Sequence, residues 1–203
     1  MAPAFVMRAG WNQVCASFSR VGRAHRVVLS SLLMAMLVSM GVSSAQEVSP
    51  EEAVAIREYR VAIAFQKKKL FPQAAGHWTR FLQEHSKDAR VPSAHLNLGV
   101  CHFGDRKFPE AAVVFRDVLA KYGGFEQRDR AQFNLGMCHY NISLALQDTA
   151  DAAKTDAERT TSQNAAVAEF KKAAAEFDNL VKQFGTSLQL VDALFYQAEC
   201  LSL

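Results

Sequence analysis

The sequence predicts an all-α protein, a solenoid of paired helices, on three observations. Only 10 Gly and 5 Pro interrupt 203 residues, of which 50% are apolar. The remainder is rich in Ala, Leu, Gln, Glu and Lys, which favour helix over sandwich or barrel. Two sets of segments also recur in register along the chain, each with an apolar stripe at helical spacing. Four Cys in this length make no disulfide scaffold.

The first element is a leader, residues 1–45. It holds Arg8, Arg20, Arg23 and Arg26 and no acidic residue. The net charge of +3 is therefore misplaced as a whole-chain property. Beyond residue 45 the acidic side chains slightly outnumber the basic ones, which excludes a strongly basic nucleic-acid binder. Val27 to Val42 is uncharged and apolar, and Ser43-Ser44-Ala45 places small residues before a cut after Ala45. That layout predicts a secretory signal peptide and a mature N-terminus at Gln46. The alternative is a retained anchor, because Val27 to Ala45 is just long enough to span a bilayer. The protein would then face the periplasm from the inner membrane, touching membrane only through 27–45. Cys15 and five of the six Met lie in the leader, so they form no part of a later site.

The remaining elements are ordered by an internal repeat. Residues 71–82, 108–119 and 170–181 align without a gap, each with Phe, then an Ala pair, then an aromatic seven residues after the Phe. Residues 94–102, 131–139 and 193–201 align at the same offsets, and 57–65 is a fainter copy. Each repeat thus reads as helix A, a turn and helix B. Ser49-Pro50-Glu51-Glu52 predicts a capping box. Pro72, Pro92 and Pro109 mark helix starts, and Gly123-Gly124 and Gly185 mark helix ends. Thr186 with Gln189 is a candidate cap for the last helix. The predicted helices are 50–69, 72–86, 92–105, 109–122, 127–157, 161–184 and 187–203.

Leu98-Gly99 and Leu135-Gly136, the helix-B residues Ala74, Ala111 and Ala173, and the following aromatics Trp78, Phe115 and Phe177 together resemble the tetratricopeptide repeat (TPR) family. His102 and His139 stand at its Tyr position, and His95, Gln132 and Leu194 replace its Trp. The spacing is 37 residues rather than the family's 34, as in exported bacterial variants. The resemblance implies a right-handed α-α superhelix of TPR-like helix-turn-helix repeats over 50–203. Repeats fall at 50–86, 88–123 and 125–185, with an incomplete fourth at 187–203. Repeat 3 carries a helical-hairpin insertion at about 141–165, whose turn is expected near Thr160-Thr161-Ser162 under a Thr160…Gln163 capping box.

The same resemblance implies a concave groove lined by helices A, with Leu96, Asn97, Val100, Phe133, Asn134, Met137, Tyr196 and Glu199 as candidate contacts. Asn97 and Asn134 recur one repeat apart although Asn is a poor helix former. Its amide suits an extended peptide backbone. The alternative is a hydrogen bond between helices. Cys101, Cys138 and Cys200 share one repeat position and read as small packed groups rather than metal ligands. The adjacent pairs Cys101-His102 and Cys138-His139 diverge around the helix, and no nucleophile, base and orienting group can be named. Lys67-Lys68-Lys69 reads as a solvated helix end.

The functional expectation is a non-enzymatic scaffold of the periplasm or cell envelope, with no metal, cofactor or nucleic acid. It binds a protein or peptide and serves envelope assembly or coordination. The rival expectation is the N-terminal repeat arm of a larger protein, an enzyme or a self-assembling structural protein, whose active part lies beyond Leu203. The final helix, left uncovered on one side, offers a surface for end-to-end self-association.

Overall fold

The structure, a computed structural model, describes residues 49–202. The apolar run at 27–42, and the signal and anchor readings built on it, lie outside these residues. The described residues form seven helices and no strand. They are α1 (Pro50–Lys67), α2 (Phe71–Glu84), α3 (Val91–Gly104), α4 (Phe108–Lys121), α5 (Arg128–Asp151), α6 (Asp156–Gln183) and α7 (Leu190–Ser202). No described helix is long and apolar enough to cross a membrane.

Each helix packs chiefly on the helices before and after it in sequence. Connections of three residues (68–70 and 105–107) alternate with connections of six (85–90, 122–127 and 184–189). The short ones close α1 onto α2 and α3 onto α4. Lys69 and Arg106, one repeat apart, both adopt a left-handed φ of 59°. The amides that follow complete the turn: Leu70 N donates to Phe65 O at 3.1 Å and Lys107 N to His102 O at 2.9 Å. These are Schellman-type ends on non-glycine residues.

The six-residue connections end helices differently from the expectation. No described glycine has a positive φ, so Gly123-Gly124 and Gly185 cap nothing. The helices instead stop at His85, Tyr122 and Phe184, which occupy one repeat position with φ of −122°, −118° and −131°. Tyr122 and Phe184 pack against the core, and the His85 ring lies tilted against Phe81 at 5.1 Å. Each half-buried ring goes with a backbone ψ of 43–65°, outside the helical region, and the helix ends without a left-handed residue.

The insertion does lengthen both helices. α5 has 24 residues and α6 has 28, against 14 for α3 and α4. At 1.5 Å per residue, α5 is roughly 36 Å long and α3 roughly 21 Å. The turn lies at 152–155, not at Thr160-Thr161-Ser162. Thr155 Oγ1 accepts from Glu158 N at 3.2 Å, and the Glu158 carboxylate accepts from Thr155 N at 3.1 Å. Glu at that position and Asp156 beside it both favour the positive end of the helix, which Gln163 does not. Thr160 and Thr161 lie inside α6 and donate back to Asp156 O and Ala157 O. Thr155→Ala should therefore cost about 1 kcal/mol in urea denaturation. Thr160→Ala should cost under about 0.5 kcal/mol, as an exposed helix position.

The last helix starts later than expected, at Leu190. Ser187, not Thr186, organises its approach. Its hydroxyl accepts from Gln189 N at 3.1 Å and lies 2.8 Å from the Asp129 carboxylate at the start of α5.

Three buried clusters run along the helices. Trp78 and Phe81 lead the first, Phe115 and Leu135 the second, Phe170 and Phe177 the third. A glycine-for-ring fit recurs between them. A Cβ on Gly99 would stand 2.6 Å from the Phe115 ring, and one on Gly136 would stand 2.7 Å from the Phe177 ring. The Leu-Gly pairs thus exist to admit the aromatic of the following helix.

Candidate functional site

The expected groove residues divide into three groups. Leu96 is a correction. It is 1% exposed, enclosed with Ala111, Phe115 and Leu135, so it has no surface to offer a ligand. Val100 is half-buried against the same cluster. Phe133, Met137 and Tyr196 are brought together in the third cluster. Their contacts are internal: Phe133 lies 5.8 Å from Phe177 and 6.3 Å from Tyr196, and Phe177 stacks on Tyr196 at 5.8 Å. Glu199 accepts from the Tyr140 hydroxyl at 2.8 Å. Burial and the Glu199 carboxylate push the Tyr140 phenol up to about 12.

The two asparagines part company. Asn97 sits at the end of a relay in which Trp78 Nε1 donates to Gln66 Oε1 at 3.0 Å and Gln66 Nε2 donates to Asn97 Oδ1 at 3.3 Å. Tyr59 stands beside it. Burial raises the phenol's pKa against the opposing pull of Ser93, Arg90 and Asn97. One repeat later the residues equivalent to Gln66 and Trp78 are Phe103 and Phe115, which carry no polar group. Asn134 accordingly makes no side-chain hydrogen bond among the described residues, although it is half-buried. Asn97 serves the fold, and Asn134 keeps a free amide between Phe133 and Met137.

The three thiols are buried and unpaired. Burial pushes Cys101 and Cys200 up to about 11 and Cys138 up to about 12, from an ordinary 9.0. Such thiols are poor nucleophiles at neutral pH. The sign of their linkage follows. Well below pH 9 they are protonated in both folded and unfolded chains, so they add no pH dependence there. As pH rises from about 9 toward 11–12 the unfolded thiols ionise first, and the stability held by the neutral buried form is lost. Urea midpoints should fall between pH 8 and pH 10, and Cys138→Ala should fall by less over the same interval.

Sequence reading missed the polar clusters that join helices. Gln132, 4% exposed, donates to the backbone carbonyl and carboxylate of Glu176 at 3.0 and 2.7 Å. His139 Nδ1 is 2.6 Å from Glu169 and Lys172 Nζ is 2.6 Å from its other oxygen. Burial raises the Glu169 carboxyl, but bonds from Lys172 and His139 outweigh it and hold the group below its usual value. His95 Nδ1 lies 2.7 Å from the Tyr122 hydroxyl, and burial lowers the His95 pKa.

Glu58, Glu84 and His85 bring three metal-capable atoms within 4.8 Å of one another. Arg80 already supplies the positive charge: its guanidinium is 2.9 Å from Glu84 and 3.7 Å from Glu58, while His85 is 2.9 Å from Glu58. The arrangement is a satisfied ion-pair network that fastens the end of α2 to α1. Cys101 and Cys138 are fully buried in the core. In comparison with known proteins, no protein-family model matches the chain and no curated protein shows significant similarity to it.

Proposed function

We propose that the protein is an exported, non-enzymatic TPR-like scaffold that binds an extended protein segment along its helix-A row. The array is read as a right-handed superhelix and the compartment as the periplasm or cell envelope. The observation that carries the reading is the free amide of Asn134. It occupies a repeat position whose other copy is locked into the Trp78–Gln66–Asn97 relay. An amide that serves no internal bond and stands beside Phe133 and Met137 offers a donor and an acceptor to a peptide backbone, with apolar flanks for its side chains. Regular connection lengths and the repeated glycine-for-ring fit support a rigid repeat array, the kind of frame that presents such a row.

The test is selection of a random extended-peptide library on the purified protein, followed by titration calorimetry. Peptides recovered should lose at least tenfold in affinity for Asn134→Ala. Variants at Arg116, on the exposed side of α4, should leave it unchanged. Binding that ignores both Asn134→Ala and Met137→Ala would sink the groove. Export is tested separately, by N-terminal sequencing of the secreted protein, which should begin at Gln46.

A further inference from the structure

The two three-residue turns of the array lie side by side. A Cβ on Gly104, two residues before Arg106, would stand 2.6 Å from the ring of Phe71, two residues after Lys69. Together the turns and the helix ends they join expose Lys67, Lys68, Lys69, Arg106 and Lys107. Lys107 Nζ lies 2.8 Å from the Asp105 carboxylate, and the other four make no ion pair among the described residues. The carboxylates on these segments are those of Asp105 and Glu110, so cations clearly outnumber anions. At the other ends of α2, α3 and α4 the connections are balanced, Lys87 and Arg90 standing against Asp88 and Glu126. Lys67-Lys68-Lys69 is therefore one half of a basic edge that the fold completes with Arg106 and Lys107.

Local structure does not ask for these residues. Lys69 and Arg106 hold a φ of 59°, which glycine adopts at less cost than a residue with a Cβ. Leu70 and Lys107 occupy the N-cap positions of α2 and α4 and make no side-chain cap bond. Ser, Thr, Asp or Asn is preferred there, and a cation at the start of α4 opposes the helix dipole. Each departure puts a cation or an apolar group where a turn residue would serve the fold better. Such departures from local preference gather at functional sites. Leu70 is 40% exposed beside the three lysines. Cations around an open apolar tip match a bilayer surface, whose anionic headgroups take the charges and whose interface takes the leucine. An acidic polypeptide would pair the cations and leave Leu70 in water.

We propose that this edge docks on a bilayer that carries anionic phospholipid, with Leu70 entering the headgroup region and Lys67, Lys68, Lys69, Arg106 and Lys107 around it. The contact is peripheral, and salt weakens it. It is separate from any contact made by residues 27–45 and independent of the row that holds Asn134.

The test is lysine acylation of the full-length chain, read residue by residue by mass spectrometry, so that a contact made by 27–45 does not register. On vesicles of phosphatidylglycerol and phosphatidylcholine in equal parts, acylation of Lys67, Lys68, Lys69 and Lys107 should slow at least about fivefold at low salt and recover at high salt. Lys87, exposed beyond the far end of α2, should be unaffected, and phosphatidylcholine alone should protect none of them. Lys69→Gly combined with Arg106→Gly should abolish the slowing at Lys67, Lys68 and Lys107. The same variant should raise the urea midpoint, because both turns lose strain. Leu70→Ser should reduce the slowing by about half or more. The proposal is overturned if the slowing is absent, is matched on phosphatidylcholine alone, extends to Lys87 or persists in the glycine variant. It is equally overturned if the glycine variant lowers the urea midpoint, since the two residues would then serve the fold. Slowing that Leu70→Ser leaves whole would overturn the bilayer in favour of an acidic polypeptide.

Discussion

Phe177→Ala should lower the unfolding free energy by about 3–5 kcal/mol, a large part of the roughly 5–15 kcal/mol that a domain possesses. The ring is fully buried, touches Phe133 and Tyr196, and fills the space above Gly136. Its removal uncouples α5, α6 and α7 at once. The companion change is Gly136→Ala. Alanine gains about 1 kcal/mol of helix propensity over glycine. Its methyl would lie 2.7 Å from a ring that has nowhere to go, and overpacking of this kind costs typically 1–3 kcal/mol. The net effect is destabilising in the native background. In the Phe177→Ala background the clash is absent and only the propensity remains, so Gly136→Ala becomes stabilising. A double-mutant cycle in urea should show that reversal as a coupling of at least about 1 kcal/mol. Additive effects would mean that the glycine is not there for the ring. Gly104→Ala is the control, since the Phe71 ring it meets is only half-buried at the start of α2 and can yield.

Trp78→Ala should cost a similar amount, about 3–5 kcal/mol. The indole is fully buried between Tyr59, at 4.8 Å, and Phe81, at 6.4 Å. Trp78→Phe separates packing from hydrogen bonding. It keeps most of the apolar volume but leaves the half-buried Gln66 Oε1 without its donor, which costs about 1 kcal/mol. Asn97→Ala should then cost about 1 kcal/mol by breaking the other end of the relay. Asn134→Ala should cost under about 0.5 kcal/mol, because no internal bond is lost. Equal costs for the two asparagines, measured by thermal and urea unfolding, would contradict the division between a structural and a free amide.

Much of the fold was legible because its determinants are local. Pro50, Pro72, Pro92 and Pro109 each fall within the first two positions of a helix, and the predicted bounds of all but the hairpin and the last helix lie within two residues of the structure. An apolar stripe at helical spacing requires only neighbouring residues to be read, and repetition in register multiplies the signal. The Thr155…Glu158 box was open to the same reasoning. The chain offered two boxes five residues apart, and the acidic one closed the turn because carboxylates favour a helix N-terminus.

Helix ends and the groove needed the tertiary structure. Glycine is the local signal for a helix end, yet the helices end at His85, Tyr122 and Phe184, whose half-buried rings depend on what lies across from them. Leu96 and Val100 sit one turn apart on the same helix, and only the approach of α4 and α5 decides that Leu96 is enclosed and Val100 half open. Asn97 and Asn134 are identical in type and repeat position. Their difference arises because α1 and α2 provide Gln66 and Trp78 where the next repeat provides Phe103 and Phe115. Helix formation depends on a residue's own neighbours in sequence. The exposure of a side chain and the satisfaction of its hydrogen bonds depend on neighbours more than thirty residues away, which no local pattern records.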